Sequence, residues 1–137
     1  MDQRVPPARP IIYLVEDDDA VRRALEFALD LEGFAVETYR SGEALLLREP
    51  IRGAGCLVID ERLPGASGQD TLRQLRARFV TIPALLITSH PKAALREAAA
   101  KTGTPILEKP LEVDVLVAAI RDLLVAPTLA PPGATRG

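Results

Sequence analysis

Short apolar runs alternate with helical patterns along most of the chain, and this alternation restricts the fold more than any other feature. The runs are rich in Ile, Val and Leu, as expected for strands that are buried on both faces of a sheet. The five predicted strands are Ile11–Val15, 34–39, 56–59, 84–87 and 105–107. Each is followed by a segment whose apolar residues recur at helical spacing, so the chain predicts five strand–helix units.

Five such units with right-handed crossovers form a three-layer α/β sandwich. We therefore predict a flavodoxin-like (βα)5 fold with one parallel sheet of strand order 2-1-3-4-5. In this order the direction of winding reverses between the first and third strands. Ligands of open parallel sheets bind beyond the carboxyl ends of the strands at such a switch point.

Start and stop signals bound the predicted helices. Asp18 or Asp19 suits the N-cap of the first helix, and Gly33 suits its C-terminal stop. The first predicted helix has Val21, Leu25, Ala28 and Leu29 on one face, and the third bears Leu72, Leu75 and Phe79. Three arginines of the third helix are expected on a solvated face, namely Arg73, Arg76 and Arg78.

Composition favours a single soluble domain. The 137 residues are 47% hydrophobic and 26% charged, with a net charge of −2, so no overall positive field attracts nucleic acid or an anionic membrane. The one cysteine, Cys56, excludes an intramolecular disulfide and lies in an apolar run. No signal peptide or membrane-length run is present, so we expect a cytoplasmic protein without direct membrane or nucleic-acid contact.

The domain organisation follows from where the pattern begins and ends. Residues 1–10 read as a flexible arm, 11–125 as the domain, and the Pro- and Ala-rich residues 126–137 as a disordered tail. The dozen residues after the last helix are too few for a DNA-binding or catalytic output domain. We therefore expect output through protein contacts, through phosphate relay, or through a domain absent from this chain.

Four predicted strands end on polar groups that phosphoryl chemistry can use. The first ends at Glu16 and Asp17, the third at Asp60, the fourth at Thr88 and the fifth at Lys109. Neighbouring strands are about 4.8 Å apart, so the three carboxylates should lie close together. Two carboxylates about 4 Å apart repel by about 4 kcal/mol at an effective dielectric near 20. Such a cluster needs a cation, a raised pKa or a nearby ammonium.

The candidate cation is Mg²⁺, because carboxylate oxygens are hard ligands and the chain has no His or Cys cluster for zinc. Lys109 can neutralise part of the acidity and contact a phosphoryl group, and Thr88 can donate a hydrogen bond to a phosphoryl oxygen. A carboxylate can itself attack phosphorus and form an aspartyl phosphate. Asp60 is the best candidate nucleophile, because it stands alone at its strand end and faces the acid pair.

In this order the residues resemble a response-regulator receiver domain, the phosphoacceptor module of two-component signalling. The resemblance covers about residues 11–124, and its motifs are Val15-Glu16-Asp17-Asp18, Ile59-Asp60, Leu63-Pro64-Gly65 with Gly68, Thr88 and Lys109-Pro110. Segments 60–65 and 108–110 are similar to the receivers of nitrogen-fixation-type regulators.

The resemblance implies that Asp60 accepts a phosphoryl group from a histidine kinase or a phosphotransfer protein. It implies that Mg²⁺ is held by Asp17, Asp60 and the backbone carbonyl of Arg62, with Glu16 helping, and that Thr88 and Lys109 bind the phosphoryl oxygens. Such a receiver phosphorylates and dephosphorylates itself and does not act on a separate substrate. A protein target is expected on the face of the fourth helix, fifth strand and fifth helix, and a homodimer is possible. The bond before Pro110 is often cis in this family.

Two departures from the family pattern concern output more than chemistry. Ile106 stands where the family often has an aromatic residue that turns inward on activation, and Leu111 stands where phenylalanine often follows Lys-Pro. A receiver-like module that binds partners without phosphorylation is therefore the alternative interpretation. A haloacid-dehalogenase-like phosphohydrolase would need a second aspartate where this chain has Arg62, and a Rossmann protein would need a glycine-rich fingerprint after the first strand.

Overall fold

A computed structural model describes residues 9–48, 51 and 53–125. Ten elements alternate strictly between strand and helix. They are β1 (Ile11–Val15), α1 (Asp19–Leu31), β2 (Ala35–Tyr39), α2 (Gly42–Leu46), β3 (Gly55–Asp60), α3 (Gly68–Ala77), β4 (Ala84–Thr88), α4 (Ala93–Lys101), β5 (Ile106–Glu108) and α5 (Val113–Val125). The predicted number and order of elements are confirmed.

The strands form one parallel sheet of order β2-β1-β3-β4-β5, which confirms the predicted fold. In the register between β1 and β3, Val15 is paired with Ile59, so Glu16 and Asp60 follow at the same level. In the register between β3 and β4, Asp60 is paired with Ile87, and Thr88 comes next. The polar residues that end these strands are thereby brought to one edge of the sheet.

The core consists of two apolar layers, one on each face of the sheet. Alternate strand residues face opposite layers because side chains of a strand have a period of two. Residues such as Tyr13, Val15 and Ile59 pack with Leu72 and Leu75 of α3. The other layer joins strand residues to α1 and α5, and includes Ile12, Leu14, Cys56, Val58, Leu25, Leu29, Leu116 and Ile120. Cys56 is fully buried, as expected.

Three helices end in the same hydrogen-bonding pattern. At the end of α1, Gly33 N–H donates to the carbonyl of Asp30 and Phe34 N–H to that of Leu29, and Gly33 has φ +93°. This is a Schellman end, in which the residue after the cap adopts a left-handed conformation that favours glycine. The end of α4 repeats it, with Gly103 at φ +66°. The predicted glycine stop of α1 is confirmed.

The end of α3 has the same pattern with phenylalanine in the glycine position. Phe79 N–H donates to Arg76, Val80 N–H donates to Leu75, and Phe79 has φ +64°. The sequence predicted Phe79 as a residue of this helix, and that prediction is wrong. The helix ends at Ala77, and the chain then changes direction. Phe79 is 88% exposed, and Val80 is the residue that is buried after the turn.

Two other side-chain predictions are also wrong, both because a residue's position on the helix surface differs from that inferred. Val21 is 41% exposed, and the buried face of α1 carries Arg22 with Leu25 and Leu29. Arg76 is not on a solvated face. Its Nη1 donates to the carbonyls of Val80 and Ile82, at 2.8 and 2.7 Å, and so holds the turn between α3 and β4.

The predicted tail at 126–137 and most of the predicted arm at 1–10 lie outside the described residues. Of the arm, Arg9 and Pro10 are described, and Arg9 Nη1 donates to the carbonyl of Gly33 at 3.2 Å. Within residues 9–48, 51 and 53–125, no helix is both long enough and apolar enough to cross a membrane.

Candidate functional site: an acidic pocket at the sheet edge

Three carboxylates meet where β1 and β3 end. Glu16, Asp17 and Asp60 each offer an oxygen, and these oxygens all lie within 4.8 Å of one another. Glu16 and Asp60 are only 4% and 3% exposed, whereas Asp17 is exposed. The adjacent strands bring the acids together, as the sequence predicted. Glu16, Asp17 and Asp60, together with Lys109, form what we call the acidic pocket.

Lys109 supplies the positive charge of the acidic pocket. Its Nζ lies 2.7 Å from Asp60 Oδ2 and 3.7 Å from Glu16 Oε1. Its backbone N–H donates to the carbonyl of Thr88 at 2.9 Å, which continues the pairing of β5 with β4. The Lys109–Pro110 peptide bond is cis. The pairing of β5, the shortest strand of the sheet, with β4 therefore places the residue after β5, Lys109, beside the acids that follow β1 and end β3.

Thr88 and Arg62 lie at the margins of the pocket. Thr88 is buried at the end of β4, one residue beyond the partner of Asp60 in the register. Arg62 N–H donates to Asp60 Oδ1 at 3.0 Å, so the loop after β3 folds back over the carboxylate. The two oxygens of Asp60 are thus held by different groups, Oδ1 by a backbone amide and Oδ2 by an ammonium.

Gly68 permits the close return of this loop. Its N–H donates to the carbonyl of Glu61 at 3.0 Å, and a Cβ placed on it would lie 2.6 Å from the backbone oxygen of Asp60. Glu61 Oε1 in turn accepts from Gln69 N–H at 2.7 Å. The segment from Asp60 to α3 is therefore tightly folded against the start of the helix, which limits the positions that Asp60 can take.

The sequence analysis missed Arg22 as a residue that supports the pocket. Its Nη1 donates to the backbone carbonyl of Glu16 at 3.0 Å, and its Nη2 contacts Asp19 Oδ1 at 2.6 Å. The sequence did contain a signal for this position: Arg22 precedes Leu25 by three residues and Leu29 by seven, which is the spacing of residues on one face of a helix. Arg22 fixes the start of α1 against the acid pair.

The pocket holds three carboxyl groups and one ammonium, and burial together with the neighbouring charges shifts the pKa of Glu16 and of Lys109. Burial raises the pKa of Glu16 to about 7; the Asp18 N–H opposes the rise, and the neighbouring Asp60 adds to it. Burial acts to lower the pKa of Lys109, but its hydrogen bond to Asp60 and the charges of Asp60 and Glu16 outweigh burial and raise it. One ammonium therefore serves three carboxyl groups.

The donor set fits a hard divalent cation. All three candidate ligands are carboxylates, gathered closely enough for one ion to reach an oxygen of each. A divalent cation would offset the excess of carboxyl groups over the one lysine in the pocket. Mg²⁺, which binds through a few carboxylates and keeps several waters, suits a partly open pocket of this kind.

The fold and pocket define a class: a doubly wound α/β domain with an acidic pocket at its switch point. Residues 12–121 match the family described as response regulator receiver domain. The chain belongs to that family, whose members are known to bind Mg²⁺ at an acidic pocket.

Several relatives are transcriptional regulators. The transcriptional regulatory protein FixJ of Rhizobium meliloti (strain 1021) is 38% identical over 110 residues, covering 80% of this chain and 54% of FixJ. The response regulator protein TodT of Pseudomonas putida is 34% identical over 115 residues, covering 83% of this chain and 51% of TodT. The chain spans about half the length of the curated relatives it matches.

The solved structure of FixJ-N has the same fold. It is 36% identical, superposes with a TM-score of 0.76, and the match covers 88% of this chain and 99% of that one. The predicted similarity to receivers of nitrogen-fixation-type regulators is therefore confirmed.

Proposed function

We propose that this chain is the phosphoacceptor of a two-component system, and that Asp60 takes a phosphoryl group from the phosphohistidine of a histidine kinase or phosphotransfer protein. The observation that carries the proposal is the position of Asp60: a nearly buried carboxylate between two other acids and an ammonium. Such a group is constrained in position and lies beside the charges that phosphoryl transfer requires.

In the proposed reaction a carboxylate oxygen of Asp60 forms a bond to phosphorus, while the bond from phosphorus to the donor imidazole nitrogen breaks. The imidazole keeps the electron pair of the broken bond. Lys109 and Thr88 bind phosphoryl oxygens, Lys109 by charge and Thr88 through its hydroxyl. In the separate step of dephosphorylation, a water oxygen forms a bond to phosphorus and the bond from phosphorus to the Asp60 oxygen breaks. Inorganic phosphate leaves and Asp60 is again a carboxylate, so the protein turns over its own modification.

Mg²⁺ would be held by Glu16, Asp17, Asp60 and the backbone carbonyl of Arg62. When bound, it supplies positive charge that offsets the negative charge of the phosphoryl oxygens. The residues themselves position the carboxylate: the N–H of Arg62 holds Oδ1 of Asp60, and Lys109 holds Oδ2. We expect Lys109 to exchange part of its contact with Asp60 for a phosphoryl oxygen.

The proposed downstream partner is a protein that binds the face formed by α4, β5 and α5. Ile106, at the start of β5, is half-buried and packs against the core layer that contains Leu86 and Leu95. Without an aromatic side chain at this position, the signal cannot travel through an aromatic rotamer change there. The module that binds without phosphorylation is not favoured, because it has no need of the combined acids, lysine and threonine.

Incubation with acetyl phosphate and Mg²⁺, followed by intact-mass measurement, tests the proposal. We expect a gain of one phosphoryl group, located by peptide mapping on Asp60, and lost in Asp60→Asn. A matched control is Asp122→Asn, an exposed aspartate on α5 that should leave the gain unchanged. A folded wild-type protein that gains no phosphoryl group, or gains it elsewhere, would refute the assignment.

A further inference from the structure

A groove of about 580 Å³ lies between α3 and α4 and shares no residue with the acidic pocket. Its apolar walls come from three elements: Leu72 of α3, Leu86 of β4, and Ala94 and Ala98 of α4. The volume falls within the range of about 300–1,000 Å³ that is usual for small-molecule sites. The groove is therefore large enough for a ligand of modest size.

The groove exists because the side of α4 that faces α3 has short side chains. Ala94, Ala98 and Ala99 line it, and a methyl group cannot fill the space between two helices. The helix itself is stable in this composition, since alanine has the highest helix propensity. The gap is thus a direct result of the sequence of α4.

One end of the groove is polar and contains a half-buried cation. Arg76 lines the groove there, together with the hydroxyl residues Thr102 and Thr104. Arg76 Nη1 donates to the carbonyls of Val80 and Ile82, and burial lowers the pKa of its guanidinium. The group has five N–H donors, so those on Nε and Nη2 remain available. Among the residues that the structure describes, no carboxylate forms an ion pair with Arg76.

The charges that line the groove complement an anion, whereas its two threonine hydroxyls bond within the protein. Thr102 Oγ1 donates to the carbonyl of Ala99 at 3.2 Å and lies 2.8 Å from the hydroxyl of Thr104, so both hydroxyls already have partners. The charged residues that line the groove besides Arg76 are Arg73, Lys101 and one carboxylate, Glu97. Cations therefore predominate, and the charge of the groove complements an anion.

We propose that this groove binds a small amphiphilic monocarboxylate. Its carboxylate pairs with Arg76, and its hydrocarbon part lies along the walls formed by Leu72, Leu86 and Ala98. The half-buried guanidinium bonds to backbone carbonyls and has no opposite charge beside it, and a bound carboxylate supplies one. Apolar walls and one charged end also match the general form of small-ligand sites. This site does not depend on the chemistry of Asp60.

Titration with octanoate, and with octan-1-ol as its neutral counterpart, tests the site. Backbone amide NMR spectra of the unphosphorylated protein would follow both titrations. We expect saturable shifts confined to α3, α4, the part of β4 around Leu86 and the turn at 102–104. Octanoate should bind at least about tenfold more tightly than octanol, the value of one charge-assisted hydrogen-bond pair. Arg76→Gln should bring the two affinities together. The matched control is Arg96→Gln, an exposed arginine of α4 that pairs with Glu108 and does not line the groove, and this variant should keep the preference.

A second variant tests the cavity without altering Arg76. Ala98→Leu places a larger side chain in the groove, and we expect it to abolish the binding of both probes while the protein stays folded. Absence of saturable binding by wild type, equal affinity for octanoate and octanol, or unchanged binding by Ala98→Leu would each overturn the proposal. Phosphorylation of Asp60 should proceed in every variant, so failure here is distinct from failure of the proposed function.

Discussion

Two charged clusters near the sheet differ in how their charges balance. The acidic pocket has three carboxylates and one lysine at the ends of β1, β3 and β5. The second cluster, which we call the Arg48 cluster, joins Arg48 to Glu37 and Tyr39 of β2 and to the ring of Tyr13. Both clusters are partly buried and both contain short hydrogen bonds.

In the Arg48 cluster each charge has a direct partner. The guanidinium of Arg48 makes two hydrogen bonds to Glu37, at 2.6 and 2.8 Å, in the paired geometry that suits a carboxylate. The hydroxyl of Tyr39 donates a third hydrogen bond to Glu37, at 2.6 Å. The guanidinium of Arg48 lies 5.2 Å from the centroid of the Tyr13 ring. The hydrogen bond to Arg48 lowers the pKa of Glu37.

The acidic pocket is arranged in the opposite way, because three carboxyl groups share one lysine. Burial, with a smaller contribution from Asp60, raises the pKa of Glu16 to about 7. A balanced cluster strengthens the fold, whereas an unbalanced one holds electrostatic energy that a cation or a phosphoryl group can release. The comparison therefore separates a structural site from a reactive one by charge count and pKa direction. The following predictions test this distinction.

The largest expected difference concerns phosphoryl incorporation. Lys109→Met should reduce incorporation from acetyl phosphate by about a hundredfold, since it removes a charge that stabilises the transferring group. Arg48→Met removes a cation of the other cluster and should leave incorporation within about twofold. Mass spectrometry after timed incubation measures both, with circular dichroism to establish that each variant is folded. Equal losses in the two variants would contradict the comparison.

In EDTA, where no divalent cation is bound, the free energy of unfolding should depend on pH through the titration of Glu16. Its pKa rises from the ordinary glutamate value of 4.5 to about 7 on folding, so the unfolded chain releases the proton first as pH increases. Stability should therefore fall as pH rises between about 5 and 8, by on the order of 2 kcal/mol. Urea unfolding in EDTA measures this slope.

Two variants isolate the source of that slope. Glu16→Gln should remove most of it, because the substituted amide does not titrate. Glu37→Gln should keep it, because the lowered pKa of Glu37 has the opposite sign: its stabilisation is present above the unfolded pKa and is lost as pH falls. A slope that persists in Glu16→Gln would assign it to other groups, such as Glu61, whose pKa burial also raises.

Mg²⁺ should stabilise the protein through the acidic pocket. At a free concentration tenfold above its own dissociation constant, a ligand of the folded state adds about 1.4 kcal/mol. Thermal unfolding with Mg²⁺ and with EDTA measures this gain, which Asp17→Asn should reduce and Arg48→Met should not. An equal gain in wild type and Asp17→Asn would exclude Asp17 as a ligand.

The smallest expected effect is a difference in the sign of the change in the free energy of unfolding. In EDTA, Asp60→Asn should raise the free energy of unfolding by about 1 kcal/mol, because the repulsion that it relieves exceeds the single contact with Lys109 that it weakens. Glu37→Gln should lower it by a similar amount, because Arg48 loses its ionic partner. Urea unfolding of the two variants at pH 7 gives both values. Destabilisation by both would mean that the acidic pocket is balanced after all.

Much of this arrangement could be predicted from sequence, because the ends of parallel strands meet at one edge. Glu16, Asp17, Asp60 and Lys109 each follow an apolar run directly, so identifying the runs was enough to bring them together. The strand order followed from chain connectivity and handedness. These inferences need only the order of elements, and the structure agrees with them.

Other features depend on helix rotation and on contacts far apart in sequence. The position of Arg22 under Glu16 depends on which face α1 turns inward, and apolar spacing alone suggested Val21 for that face. The pair of Glu37 and Arg48 joins β2 to the end of α2 across eleven residues, a contact that local patterns do not predict. Arg76 looked solvated because its partners are backbone carbonyls, which any residue supplies.

The phenylalanine at the end of α3 has a consequence for the tolerance of this chain to substitution. Phe79 occupies a left-handed position that costs an ordinary residue about 1–2 kcal/mol, and its exposed ring recovers little of this by packing. In a scan of every amino acid at every site, scored by melting temperature, we expect the protein with glycine at position 79 to melt at a higher temperature than the protein with phenylalanine. Deleting a whole side chain would then make the protein harder to melt.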